Sequence, residues 1–280
     1  MSKKNNSALK CVFKENDFNS ADGMLTYVWG PSLWHFLHTM SFNYPVKPTR
    51  EDKMNYLNFM NSLKGILPCK YCRRSYIEYL EKLPVENHVS SRNSLCFWLY
   101  KVHNMVSGKL RGQGHLHEKD PTYKSVRQTY KKLLKDPKFV VGKKAMNFLC
   151  SIVFNYPVKQ KYDPYKRLYY EVFFDSLVKV IPDKKFVKLY TAYNKRNPLV
   201  ETLCCRQLLK KWFYKLKCKN VSCKDKKSYK SYCHSFEHYR SKGCEKKSHK
   251  GNTCRKKKRV TLHLRAKRLA RNTSGTLRRV

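Results

Sequence analysis

Pro68-Cys69-Lys70-Tyr71-Cys72 is the stretch of this sequence best equipped for chemistry. Two thiols at this spacing can close a disulfide across one helical turn and reopen it. The pair stands where a helix opens. A helix N-terminus and the nearby Lys70, Arg73 and Arg74 favour the thiolate, which is the reactive form. The same spacing is also half of a zinc site, which needs a second pair to match. Cys204-Cys205 is vicinal and Cys218-x4-Cys223 is wider, so neither is a clean partner. Spacing alone leaves redox and zinc both open.

The companions of the pair favour redox. Trp34 and His38 are one helical turn apart, so they share a face. His103-Asn104 follows Trp98 by one to two turns. Each alone reads as core packing. Together they put aromatic plates and polar rings near a dithiol, which suits a flat aromatic cofactor held by stacking and a few polar contacts.

Helices must position these residues. Apolar residues recur at helical period over 31–44, with Pro45 ending the run, and over 52–67. The stretch 69–83 reads as a short helix closed by Pro84, 91–110 as the fourth, and 121–134 as a fifth. Alternating Val/Ile/Thr runs are scarce. The class is all-α, a small bundle with short loops.

The chain then repeats itself. Asn43-Tyr-Pro-Val-Lys47 recurs as Asn155-Tyr-Pro-Val-Lys159, Leu63-Lys-Gly-Ile-Leu-Pro68 answers Leu177-Val-Lys-Val-Ile-Pro182, and Trp98-Leu-Tyr-Lys-Val102 answers Trp212-Phe-Tyr-Lys-Leu216. Ordered matches at a nearly constant offset indicate a duplication. The expected organisation is a flexible segment 1–24, a first bundle 25–138, a degenerate second bundle 139–217 and a basic tail 218–280. The second copy keeps the apolar positions and drops the reactive ones: Cys69 and Cys72 align with Asp183 and Phe186, His38 with Cys150, and His103 and Asn104 with Lys217 and Cys218. It is expected to bind no cofactor.

Composition bounds the rest. The 280 residues carry 61 Lys or Arg against 19 Asp or Glu, a net charge of +42, while 41% hydrophobic and 14% aromatic content exclude a wholly disordered chain. From residue 215 onward, 23 cations face three acids, with Arg255-Lys-Lys-Lys-Arg259 a solid block. Such a tail is drawn to polyanions, nucleic acid among them. No apolar run approaches the ~18 residues of a membrane span, and the first residues carry no secretory pattern. An intracellular setting is expected, where twelve cysteines point to metal or redox use rather than structural disulfides. The rival reading is therefore a basic zinc- or nucleic-acid-binding structural protein. Deleting residues 218–280 is expected to separate the two, leaving the chemistry and removing the polyanion binding.

Trp29-Gly-Pro-Ser-Leu-Trp-His-Phe-Leu-His38, Asn43-Tyr-Pro45, Pro68-Cys-x-x-Cys72 and Trp98-x4-His103-Asn-x-Val106 resemble the Erv/ALR sulfhydryl oxidases in order and spacing, most of all those of large DNA viruses. The resemblance covers about residues 25–135. It implies a four-helix bundle holding FAD, with a short fifth helix. Cys69 and Cys72 would be the redox disulfide, Cys72 against the flavin and Cys69 exchanging with an incoming protein dithiol. Trp34, His38, Tyr44, Trp98, His103 and Asn104 would line the FAD site, with Lys109 near its phosphates. Electrons would pass to molecular oxygen, releasing hydrogen peroxide. A homodimer through the first two helices, and a place in host cytoplasm or the virion, are implied in the same way. Shuttle cysteines of such enzymes have candidates here in Cys11, Cys218, Cys223, Cys233, Cys244 and Cys254. The departures are Ser107-Gly108 after His-Asn-x-Val, and no cysteine between Cys96 and Cys150.

Overall fold

The computed structural model describes residues 23–135, 143–156, 164–219 and 228–241. Cys11, Cys223, Cys244, Cys254 and the 255–259 block lie outside the described residues. The described residues form eleven α-helices, one 3-10 helix (Val85–His88) and one two-stranded sheet, and none of these helices is long and apolar enough to cross a membrane.

The first half holds α1 (Thr26–Asn43), α2 (Arg50–Ile66), α3 (Lys70–Lys82), α4 (Arg92–Gly112) and α5 (Tyr123–Leu133). Local chemistry sets their ends. Thr49 and Asp52 close a reciprocal capping box on α2, and Ser91 and Thr122 cap α4 and α5 through their hydroxyls. Helix α1 starts before Pro31, which therefore sits inside it and removes one backbone bond. The extra turn is held from outside. β1 (Gly23–Met24) pairs antiparallel with β2 (Arg240–Ser241). The Met24 N–H donates to the Pro68 carbonyl at 2.8 Å, and the Leu25 N–H to the Tyr239 carbonyl at 2.9 Å.

The second half repeats this plan with α6 (Lys143–Asn155), α7 (Pro164–Val180), α8 (Lys184–Arg196), the short α9 (Leu199–Thr202) and α10 (Arg206–Lys219). The duplication is written in hydrogen bonds. Tyr44 Oη donates to the Val89 carbonyl, and its counterpart Tyr156 to that of Leu203. Trp98 Nε1 donates to Leu83 at 3.0 Å, and Trp212 Nε1 to Asn197 at 2.7 Å. Tyr56 reaches Met40 and Tyr170 reaches Ile152, each at 3.1 Å. Arg92 Nε donates to the Tyr44 carbonyl, and Arg206 Nε to that of Tyr156.

The halves meet like with like. Helix α6 packs along α1 and α7 along α2. Equivalent rings touch across the join, Phe36 with Phe148 at 6.0 Å and Phe59 with Phe173 at 5.4 Å between centroids. One continuous buried cluster therefore runs through both halves.

Helix α11 (Tyr229–Glu237) and β2 fall inside the stretch 218–280 that composition set apart as tail. Tyr232 and Phe236 are buried there. They pack on Phe154, each with ring centroids 5.2 Å away. Tyr130 of α5 stands in the same way against Phe42, the counterpart of Phe154, at 5.4 Å. Helix α11 thus closes the second half as α5 closes the first.

Candidate active site

Cys69 is the N-cap residue of α3, so Cys72 lies in the first turn. The two thiols are hydrogen-bonded to one another. Cys69 has no exposed surface. Cys72 lies on the wall of a cleft of about 430 Å³ between α1, α3 and α4. Its bond to Cys69 and its burial hold the Cys72 thiol well above the usual range, while the positive charges of Lys109 and Arg73 pull the other way. Arg73 is buried and donates to the Leu67 carbonyl at 2.6 Å, which fixes a cation behind the pair.

Trp34 of α1 and His103 of α4 form the opposite wall. Their rings stack 3.9 Å apart at an interplanar angle of 10°. His103 Nδ1 and His38 Nε2 share a hydrogen bond of 3.2 Å, and His38 Nδ1 is buried with no partner. Lys109 Nζ reaches the cleft and donates to Ser75 Oγ. The loop after α4 closes the far side. Asp120 on that loop pairs with Arg111.

Of the residues singled out by sequence, Cys72, Trp34, His103 and Lys109 line the cleft. Cys69 and His38 stand directly behind that wall. Tyr44 and Trp98 are packed in the core, with hydrogen bonds that the second half duplicates, and they are not among the cleft residues. Asn104 is half-buried on α4 and is not among them either.

Residues 31–131 match the model of the Erv1 / Alr family. This chain carries an Erv1/Alr domain. Within it, 80 residues are 42% identical to a probable FAD-linked sulfhydryl oxidase of Acanthamoeba polyphaga mimivirus, covering 28% of this chain and 56% of that protein. The mitochondrial FAD-linked sulfhydryl oxidase of Saccharomyces cerevisiae matches at 36% over 83 residues, 29% of this chain and 42% of its own. An FAD-linked sulfhydryl oxidase of African swine fever virus matches at 27% over 82 residues, 29% of this chain and 67% of its own. The chain spans about half the length of the first relatives it matches.

Sequence reasoning passed over several cleft residues of the Erv1/Alr domain. Tyr76 and Tyr79 follow Cys72 at helical spacing on one face of α3, and that spacing was a usable signal. Tyr130, which is not a cleft residue, stacks on His38 behind the wall with centroids 5.0 Å apart. It sits in a helix with no buried residue, so nothing in the local pattern marked it. Leu116 and residues 118–121 come from an irregular loop, which carries no period to read.

Among its described residues the second half has no such arrangement. Asp183 caps α8 where Cys69 caps α3, accepting from Phe186 N at 2.8 Å. Tyr232 Oη contacts Cys150 Sγ at 3.7 Å, over the position that His38 holds in the Erv1/Alr domain. Among the described residues, no group of three or more His, Cys, Asp or Glu stands together as metal ligands.

The histidine pair makes stability depend on pH. Burial, then the neighbouring His103 and His35, lowers His38 to about 3, and burial lowers His103 to about 4 despite Asp120. An unfolded chain takes up both protons below about pH 6.5, and the folded chain does not. Stability is therefore full above that pH and falls as pH drops towards 4, by up to ~1.4 kcal/mol per pH unit for each histidine. Urea midpoints at pH 7 and pH 5 should show the loss, and His38→Gln should roughly halve it. Equal midpoints in the parent chain would contradict the buried neutral pair.

Proposed function

We propose that this chain is an FAD-dependent thiol oxidase that makes disulfides in proteins, with molecular oxygen as the final acceptor and hydrogen peroxide as the product. The observation that carries the reading is Cys72 on the wall of an aromatic cleft, bonded to Cys69 behind it. The names of the relatives point the same way.

FAD fits the residues present. The cleft offers a mostly apolar wall, the stacked Trp34 and His103 rings, and the Lys109 amine for phosphate oxygens. His38 Nδ1 is a buried polar atom left without a partner next to that wall. Trp34, His38, His103 and Lys109 would hold the cofactor, with Asn104 beside them on α4. Tyr44 and Trp98 would act by holding the helices in place. When bound, FAD supplies a two-electron acceptor that oxygen can regenerate.

The rest of the chemistry belongs to the protein. A substrate thiolate attacks one sulfur of the Cys69–Cys72 disulfide and forms a mixed disulfide. The second substrate thiol displaces it, leaving the substrate oxidised and both cysteines as thiols. Two electrons and two protons have then entered the pair. Cys72, on the cleft wall, is the sulfur placed to pass electrons inward. Cys69 would exchange with substrate, and its full burial means that a local opening must precede attack. Lys109 and Arg73 offset the charge of a Cys72 thiolate.

The purified chain should show a flavin absorption band in the visible and consume oxygen when dithiothreitol is added. Cys72→Ser should keep the band and lose at least ~99% of the uptake, because the only route from substrate to cleft is cut. A colourless chain with no uptake would end this reading. A viral setting, in host cytoplasm or the virion, rests on the viral relatives, and immunodetection in purified particles tests it.

A further inference from the structure

The second half lost its chemistry, yet the exposed faces of α8 and α10 changed in one direction. The duplication supplies the comparison position by position. On α3, the exposed Arg74 pairs with Glu78 at 3.3 Å, and Glu81 lies further along. On α8, Lys188 stands for Arg74, Ala192 for Glu78 and Lys195 for Glu81. On α4, an exposed Phe97 and a half-buried Met105 correspond to the exposed Lys211 and Lys219 of α10. Both acids of the α3 face are gone, and cations have been added on each helix. Elsewhere the copy gained acids, Glu171 for Leu57 and Glu201 for Asn87 among them, but α8 and α10 carry none, and their exposed charges are all positive.

The two helices present these charges together. Helix α8 packs on α10 through the Trp212 ring, whose centroid lies 5.5 Å from Tyr190 and 5.2 Å from Tyr193. Lys219 Nζ crosses back over the Tyr193 ring at 5.7 Å. Lys211, Lys215 and Lys219 run down α10 at four-residue intervals, ~6 Å apart along the axis. Lys188, Lys195 and Arg196 are exposed on α8. The acids of this half are mostly committed elsewhere, Glu171 to Arg167 and Asp183 to the α8 cap. Asp175, an exposed acid whose charge reaches Tyr190, and the exposed Glu201 are the remaining acids among the described residues of α6 to α10.

We infer that the α8–α10 face of the second half is a docking surface for double-stranded nucleic acid, held through the phosphate backbone without regard to sequence. A row of lysines on a rigid helix meets a row of phosphates and releases their counterions. The aromatic rings of this face, Tyr190, Tyr193 and Trp212, are buried, so it offers no platform for stacking single-stranded bases. Its exposed apolar side chains are Leu208 and Val200, too few for the apolar face of a membrane-surface helix. The inference stands apart from the thiol chemistry.

The test is fluorescence anisotropy of a labelled 20-base-pair DNA duplex with the full chain, titrated across salt. Three variants are compared with the parent: K211E/K215E/K219E on α10, K188E/K195E on α8, and a chain with the Arg255–Arg259 block changed to Ser. The α10 variant should weaken binding by more than about tenfold and lower the slope of log K against log salt by roughly three. The α8 variant should lower it by roughly two. All these side chains are exposed, so melting temperature and dithiothreitol-driven oxygen uptake should match the parent. Loss in the tail variant alone would overturn the inference, as would unchanged slopes in both helix variants. So would a loss seen on phosphatidylserine vesicles with duplex binding intact.

Discussion

A chain ending at residue 217 is expected to lose cooperative folding, while a chain ending at residue 241 melts with the full-length protein. The shorter chain lacks α11 and β2. Tyr232 and Phe236, 3% and 7% exposed, leave the core, and each such side chain is worth roughly 1.5–3 kcal/mol of burial. Their departure uncovers Phe154 and Cys150, both fully buried in the intact fold. Lys210 loses Glu237, its partner at 2.8 Å, and is left as a largely buried charge. β1 loses its pairing strand, and with it the contact that steadies Met24 against Pro68, next to Cys69. The sum is of the order of the whole stability of a domain, roughly 5–15 kcal/mol. Deleting residues 218–280 therefore removes part of the fold together with the basic tail. The cut that spares α11 and β2 removes 242–280. Circular dichroism melts of the two truncations decide the matter; a chain ending at 217 that melted like the parent would show that α11 contributes little.

The reason this was hidden in the sequence is instructive. Averaged over 218–280, composition is dominated by Lys and Arg, and the Tyr229, Tyr232 and Phe236 spacing is too short to stand out. Helix existence was legible wherever the apolar period ran for three turns or more, as in α1, α2 and α4. The ends were set by particulars. Thr49 and Asp52 announce the start of α2 as a capping box, whereas the start of α1 depends on β1, β2 and Tyr239, which no local pattern contains. The Cys69–Cys72 pair and its aromatic companions were legible because residue type and spacing carry them. The loop residues of the cleft were not, since their position follows from where α4 ends and α5 begins.

The duplication does more than mark a boundary, because it sorts residues by purpose. Hydrogen bonds kept in both halves, such as those of Tyr44 and Tyr156 or Trp98 and Trp212, hold the fold. Cys69, Cys72, Trp34, His38 and His103, gathered at or behind the cleft, all changed. A single sequence with an internal copy thus carries its own comparison, and it separates Trp98 from Trp34 more sharply than residue type can.

The join between the halves gives the second large effect. Gly65→Ala is expected to destabilise the chain by about 3 kcal/mol or more, at the upper end for overpacking. A Cβ at Gly65 would lie 2.3 Å from Tyr169 Cγ and 2.7 Å from Tyr169 Cβ. Those atoms are next to the α7 backbone, so rotation of the ring cannot clear them, and α7 itself must retreat from α2. Within one chain, α6 and α7 pack on α1 and α2, the helices through which the resemblance implies a homodimer. Melting should then be unimolecular, with a midpoint independent of protein concentration in both parent and variant. The variant midpoint should fall by roughly 6–12 °C. A parent midpoint that rose with concentration would show that a second chain, rather than the second half, completes the stable fold, and a variant melting within a degree of the parent would show that α2 and α7 are not held as closely as the Phe59–Phe173 contact implies.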